Sequence, residues 1–386
     1  MEAVPYSRMC LLAMGILNSE DRLFGRKYNG HVMYFGLLLL DFIVVTNYAA
    51  SLLTVPQCDQ LSGFSLIWNH IFIWSSLWVT SNQMPKMNHR FRAIVACLRD
   101  VGMLRRFDAV CCCIRSAILL LNASSIIVYF ALYGVEDNLV KLALCRPYDG
   151  SLAMRILTAG HVFMYLIMHS AFFGLLQMYL SLQFCSLVYA RETCHLFRLF
   201  KRLDYTTPHV YNTMKQRMEL YNSFKSALNR RLGFLPFALM ANLFCIFCIT
   251  PVFMFFKRTT VDRTFLMLLL GCMNVILFNL LHLIVHVVSS SHENMLSARE
   301  LAIQIVTTLL PLDRRNYHKL KECRQSLRVY LQCECITPST AWNCFIVDRC
   351  MVLSFFNALI PFTVMLLTTL KELETDSSKQ MGNSTA

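Results

Sequence analysis

Charge is scarce in this sequence: Asp, Glu, Lys and Arg make up only 15% of 386 residues, while 56% are hydrophobic and the mean hydropathy is +0.48. So apolar a composition excludes an ordinary soluble domain and points to a chain that crosses a membrane several times. Catalytic signatures are missing too. No GxSxG elbow, Walker loop or dinucleotide fingerprint occurs, so no enzyme activity is expected. Cys323, Cys333 and Cys335 do not make a two-CxxC spacing, and neither a metal nor a cofactor is expected. His282 and His286 share a helical face, but the glutamate of a zinc-hydrolase helix is absent between them; packing or a hydrogen bond is the expected role. Acidic pairs at membrane depth are lacking as well. Asp41 stands alone inside an apolar run, where a charge costs at least about 2.5–3.5 kcal/mol. It reads as a hydrogen-bonded structural aspartate rather than part of a proton or cation relay. Internal repeats, the mark of many transporters, are not found.

What is present is a series of seven apolar runs near the length a membrane helix needs: 31–53, 64–84, 113–135, 157–190, 232–256, 265–291 and 350–370. They predict an all-α polytopic membrane protein with seven transmembrane helices. The fourth run is long enough to project beyond the bilayer. Basic residues set the orientation, because cytoplasmic flanks hold the excess. With the N-terminus inside, 28 of the 36 Lys and Arg residues fall on inner segments and 8 on outer ones. The C-terminus is then extracellular, the reverse of a G-protein-coupled receptor. Asn383-Ser384-Thr385 is an N-glycosylation acceptor usable only on that outer side, whereas Asn122-Ala123-Ser124 lies within the third run.

The net charge of +13 is therefore mostly inner-surface charge, suited to anionic membrane lipid. It forms no basic stripe interleaved with aromatics, so nucleic acid is not an expected partner. Residues 9–17 resemble a signal-peptide core, but Asn18-Ser19-Glu20-Asp21 follows in place of a small-residue cleavage site. Cys58 and Cys145 are the cysteines of the outer loops, where pairing is possible, and Cys111-Cys112-Cys113 at an inner edge suits palmitate.

The inner loops 191–231 and 292–343 read as helical. Leu301, Ile305, Thr308 and Leu309, then Leu320, Cys323, Leu327, Tyr330 and Leu331, fall at three-and-four spacing. No Gly/Ser-rich linker interrupts them, so the membrane helices are expected to continue inward as a cytoplasmic bundle. Thr340-Ala341, Phe345, Val347, Asp348 and Arg349 follow, and then the last run. This pattern resembles the insect gustatory receptors, in which Thr-Ala, a Phe, an apolar residue and Asp-Arg precede a final span closing in Thr-Tyr, five apolar residues and Gln-Phe. The closing half departs from the family: Pro361 stands for Thr, Phe362 for Tyr, Thr368 for Gln and Thr369 for Phe.

The resemblance implies a tetrameric ligand-gated cation channel in the plasma membrane of sensory dendrites, homo- or hetero-tetrameric, that detects a small-molecule tastant. Absence of similarity to the sugar-sensing branch points to bitter or aversive compounds. The implied organisation is a cytoplasmic N-terminus over 1–30, a six-helix ligand-sensing bundle with its inner loops over 31–291, and an anchor segment over 292–349. A pore-lining seventh helix over 350–373 and an extracellular tail over 374–386 complete it. Thr340, Phe345, Asp348 and Arg349 mark the anchor. Phe362, Met365 and Thr369 share a helical face with Thr368 beside it; by the family pattern these form the pore and gate, and Thr368 replaces the pore glutamine.

Pro361 cannot donate to the Asn357 carbonyl, so a kink or break between these residues is expected, a hinge for the outer half of the helix. For a ligand pocket, the outer halves of the runs offer Trp68, Phe72, Trp74, Tyr129, Tyr133, His161, Tyr165, His169, Asn274 and Phe278, aromatic walls with hydrogen-bonding tips. Interfacial belts use the same residue types. The alternatives are an insect odorant receptor channel, or a non-channel seven-helix transporter or metabotropic receptor.

Overall fold

The computed structural model describes residues 152–202, 207–256, 263–307 and 317–384, together with Ile94, Ser116, Leu120 and Ala123. Among the described residues the chain is all-α apart from one small hairpin. The helices described over their full length are α1 (Leu152–Arg202), α2 (Pro208–Leu232), α3 (Phe234–Phe256), α4 (Arg263–Thr307), α5 (Tyr317–Cys333) and α6 (Arg349–Ser384). Strands β1 (Thr340–Ala341) and β2 (Phe345–Ile346) pair antiparallel between α5 and α6. The first three apolar runs fall almost wholly outside the described residues. So do Asp41, Cys58, Cys111, Cys112, Cys113 and Cys145, and the pocket candidates Trp68, Phe72, Trp74, Tyr129 and Tyr133.

α1 has 51 residues and α4 has 45, roughly 76 and 68 Å of helix, more than twice the ~30 Å of a bilayer core. Both continue without interruption past the ends of their apolar runs, and their C-terminal halves pack on each other along much of their length. Ser186 and Ser291 share a buried hydrogen bond at 2.9 Å, and Lys201 donates to Gln304 at 2.7 Å nearer the C-terminal ends of both helices. α5 returns antiparallel along α4, with Arg299 donating to the Leu331 carbonyl at 2.6 Å and Arg324 to the Val306 carbonyl at 2.8 Å. Ile305, Leu327 and Leu331 are buried as their spacing predicts.

The helical reading of 292–343 needs one correction: the chain leaves helix after Cys333, forms an extended strap over 334–339 and then the hairpin. Pro338 removes a backbone donor there, and β-branched Ile336 and Thr337 favour extended backbone. The hairpin turns on Trp342 and Asn343, at φ 50° and 57°, and the Cys344 N–H donates to the Ala341 carbonyl at 3.0 Å. Two left-handed residues in succession match the twist of the flanking strands. Asn tolerates this region, but a tryptophan there costs of order 1–3 kcal/mol. The indole is held by Phe234 and Phe237, each with its ring centroid 5.2 Å away.

Gly233, between α2 and α3, permits the hairpin to dock. Its carbonyl accepts from the Trp342 N–H at 2.8 Å. A side chain there would meet the Asn229 carbonyl, and its Cβ would lie 3.2 Å from both the Thr340 carbonyl and the Trp342 nitrogen. Gly233→Val is therefore expected to lower stability by about 1–3 kcal/mol, read as a lower Tm of the detergent-solubilised protein.

Candidate functional site

The strap is read by one face of α2. Asn222, Lys225 and Asn229, at spacing three and four, meet it in succession. Asn222 Nδ2 donates to the Cys335 carbonyl at 3.2 Å and to the Tyr330 hydroxyl at 3.1 Å, and its Oδ1 accepts from the Thr337 N–H at 3.0 Å. Lys225 Nζ donates to Ser339 Oγ at 3.0 Å. Asn229 Nδ2 donates to the Pro338 carbonyl at 2.6 Å, and its Oδ1 accepts from the Thr340 N–H at 3.2 Å. An extended segment has no helix or sheet partner for its backbone, and these amides supply one.

Behind Lys225 lies a buried polar cluster. Its ammonium also donates to Gln183 Oε1 on α1 at 2.8 Å, and Gln183 Nε2 donates to the Tyr179 hydroxyl at 2.9 Å. Ser186 Oγ donates to the Gln183 carbonyl at 2.8 Å, and the Tyr221 hydroxyl shares a hydrogen bond with Ser291 at 3.0 Å. The cluster joins α1, α2, α4 and the strap at one point. Burial pushes the Tyr221 phenol up and the Lys225 ammonium down to about 7. At His292, burial and then the Lys225 charge lower the imidazole, against Glu293.

Asp348 starts α6: its Oδ1 accepts from the Met351 N–H at 2.9 Å, an N-cap. Arg349 pairs with Glu293 of α4 at 3.1 Å on the surface. Val347 is buried, and its N–H reaches the Ser339 carbonyl at 2.9 Å. Thr340 donates to Asn343 Oδ1 at 3.0 Å, and the Phe345 ring lies 6.2 Å from that of Phe237. Thr340, Phe345, Asp348 and Arg349 thus come together where the strap turns into α6.

Residues 349–369 of α6 are long and apolar enough to cross a membrane, yet only 17% of their most apolar stretch is buried. One side is held by aromatics. Phe355 lies 6.1 Å from Phe244 and 6.5 Å from Phe247, and Phe356 lies 6.5 Å from Phe247 and 5.3 Å from Phe278 of α4. Phe362 sits at the edge of this packed side, 5.2 Å from Phe244. The opposite face is exposed along Leu353, Ser354, Asn357, Ile360, Pro361, Val364, Met365, Thr368 and Thr369.

No break occurs at Pro361: the helix runs through it to Ser384. Phe355, Leu359 and Phe362 pack on both sides of the proline, and Thr363 Oγ1 lies 3.8 Å from Cys248 Sγ of α3, so neighbours support the helix where one backbone bond is missing. Thr368 and Thr369 turn their hydroxyls back to the Val364 and Met365 carbonyls, at 2.9 and 3.0 Å. Asn383 lies in the last turn of α6, beyond residues 349–369.

Of the described pocket candidates, His161, Tyr165 and His169 lie on α1, Asn274 is buried on α4, and Phe278 is half-buried against Phe356. His282 and His286 are exposed with parallel rings 6.5 Å apart. Reading the sequence passed over Asn222, Lys225 and Asn229, whose spacing was visible but whose partner, a strap, was read as helix. It also passed over Phe244 and Phe247 of α3 and Phe355 and Phe356 of α6, whose meeting depends on tertiary packing.

Long packed helices joined through a hairpin to an exposed apolar helix are an arrangement shared with a solved structure. The chain superposes on the solved insect olfactory receptor OR5 from Machilis hrabei with a TM-score of 0.67, covering 94% of this chain and 97% of that one at 11% identity. The same receptor in complex with eugenol matches with a TM-score of 0.58 over the same shares at 13% identity. At these identities the likeness speaks for the fold. No family model and no curated protein matches the sequence.

Proposed function

We propose that this chain is a subunit of a chemosensory ligand-gated cation channel, with the exposed face of α6 turned toward an ion pathway shared by four copies. The observation that carries the reading is that face itself. Asn357, Ser354 and Thr368 lie on the unpacked side of a membrane-length helix. Polar side chains at membrane depth turn to protein or water rather than to lipid. Rings of hydroxyl and amide groups ease a cation through, and apolar rings such as Met365 gate by dewetting. Phe362 belongs to the edge of the lining, and Met365, Thr368 and Thr369 to the lining proper.

The pocket on this reading lies in the outer halves of the helices, around Asn274 and Phe278 with His161, Tyr165 and His169. Phe278 touches Phe356 of α6, so a ligand there has a short route to the pore helix. The Thr340-Ala341, Phe345 and Asp348-Arg349 pattern favours the gustatory branch and a bitter or aversive ligand in the plasma membrane of sensory dendrites. A neighbour of the same fold binds eugenol, which makes it the first probe, followed by bitter and amine-bearing compounds. Cells expressing the chain, alone and with candidate partner receptors, are expected to carry probe-evoked cation current within milliseconds and without G-protein signalling. A response that vanishes when G-protein signalling is blocked contradicts the proposal.

A further inference from the structure

Among the described residues, Lys225 is the single charged side chain that is fully buried. Its ammonium meets only neutral acceptors, Gln183 Oε1 and Ser339 Oγ, with the Tyr221 ring face 5.7 Å away. A buried charge is ordinarily paired with an opposite one. Around it, α1 presents Gln183 and, behind that, the Tyr179 phenol; α2 presents Tyr221; the strap presents Ser339. From α4 come His292, whose buried Nδ1 has no hydrogen-bond partner, and Glu293, which is exposed and engaged by Arg349. Nothing in this set neutralises an ammonium.

We propose that Lys225 is a proton-responsive latch: as a neutral amine it holds the strap to α1 and α2, and protonation from the cytoplasmic side loosens the strap and with it the start of α6. The amine keeps both donated bonds without the cost of a buried charge. The ammonium recovers its hydration only when the strap lifts and water enters. The connection to α6 is short, because the Ser339 carbonyl accepts from the Val347 N–H and Asp348 caps the helix directly after. That loosening alters conduction is a consequence resting on the channel reading above.

The direction with pH follows from burial, which moves the Lys225 pKa from 10.5 to about 7. The latched form binds fewer protons than the lifted, hydrated form. The latch is therefore strongest above the ordinary lysine range and weakens as pH falls from about 10.5 to about 7, by up to about tenfold in the opening equilibrium per pH unit; below about 7 it changes no further. His292, lowered from 6.5, titrates below this window.

Hydrogen–deuterium exchange of the 334–348 segment in the purified full-length protein, at pH 7.5 and 9.0 and corrected for base-catalysed intrinsic exchange, tests the latch. Wild-type protection is expected to fall by up to about 30-fold from pH 9.0 to 7.5. Lys225→Met, neutral throughout, is expected to protect the segment equally at both pH values, and Lys225→Arg, charged throughout, to leave it open at both. Equal wild-type protection at the two pH values overturns the proposal, as does a pH response that survives in Lys225→Met. A pH-responsive strap in a protein that carries no current supports the latch and counts against the channel reading alone.

Discussion

Replacing Asn229 by leucine is expected to release the strap from α2 and to destabilise the inner bundle by roughly 2–4 kcal/mol. The side chain satisfies the Pro338 carbonyl and the Thr340 N–H, and a buried backbone group left without a partner costs about 1–3 kcal/mol. Leucine is similar in size, so lost packing contributes little. The damage is local in origin but spreads, because Thr340 opens the hairpin whose backbone docks on Gly233 and whose far end caps α6. Thermal unfolding and limited proteolysis near Cys335 report the loss. Asn222→Leu is expected to behave alike, since its amide meets both the Cys335 carbonyl and the Thr337 N–H. An unchanged Tm in either variant would show that the strap is held by something other than the α2 ladder.

A lysine at position 368 is expected to suppress cation current roughly 10- to 100-fold. Thr368 lies on the exposed face of α6 near the C-terminal end of the span. An ammonium about 6 Å from a passing cation in bulk water repels it by roughly 0.7 kcal/mol, and four subunits act together, so the barrier rises by ~2–3 kcal/mol. Thr368→Glu reverses the sign and is expected to keep or raise the current. At Phe355, on the packed side against Phe244 and Phe247, truncation would instead reduce the amount of folded protein.

The sequence was most legible where apolar runs and helical spacing agree. Ile305, Leu327 and Leu331 read as one-sided, and each is buried. Asp348 was legible only as a motif position before the last apolar run; its capping of α6 came with the structure. Less could be read at the strap. The segment from Cys333 to Asn343 carries no glycine, and Pro338 is its one strong breaker; the turn rests on left-handed Trp342 and Asn343, a conformation that tryptophan does not advertise. At Pro361 the helix is continuous, and whether a proline interrupts a helix depends on neighbours such as α3 that a sequence does not show. Lys225 was hidden for a related reason. In sequence it is one more inner-loop cation, and only the convergence of α1, α2, α4 and the strap makes it a buried one.

The central claim is that the exposed face of α6 meets permeating ions. The measurement that bears on it most directly is probe-evoked whole-cell current through Thr368→Lys and Thr368→Glu, compared at equal surface expression with the wild type. The account predicts that the lysine variant loses most of its cation current while the glutamate variant keeps it. Two variants that conduct alike, and like the wild type, would contradict it.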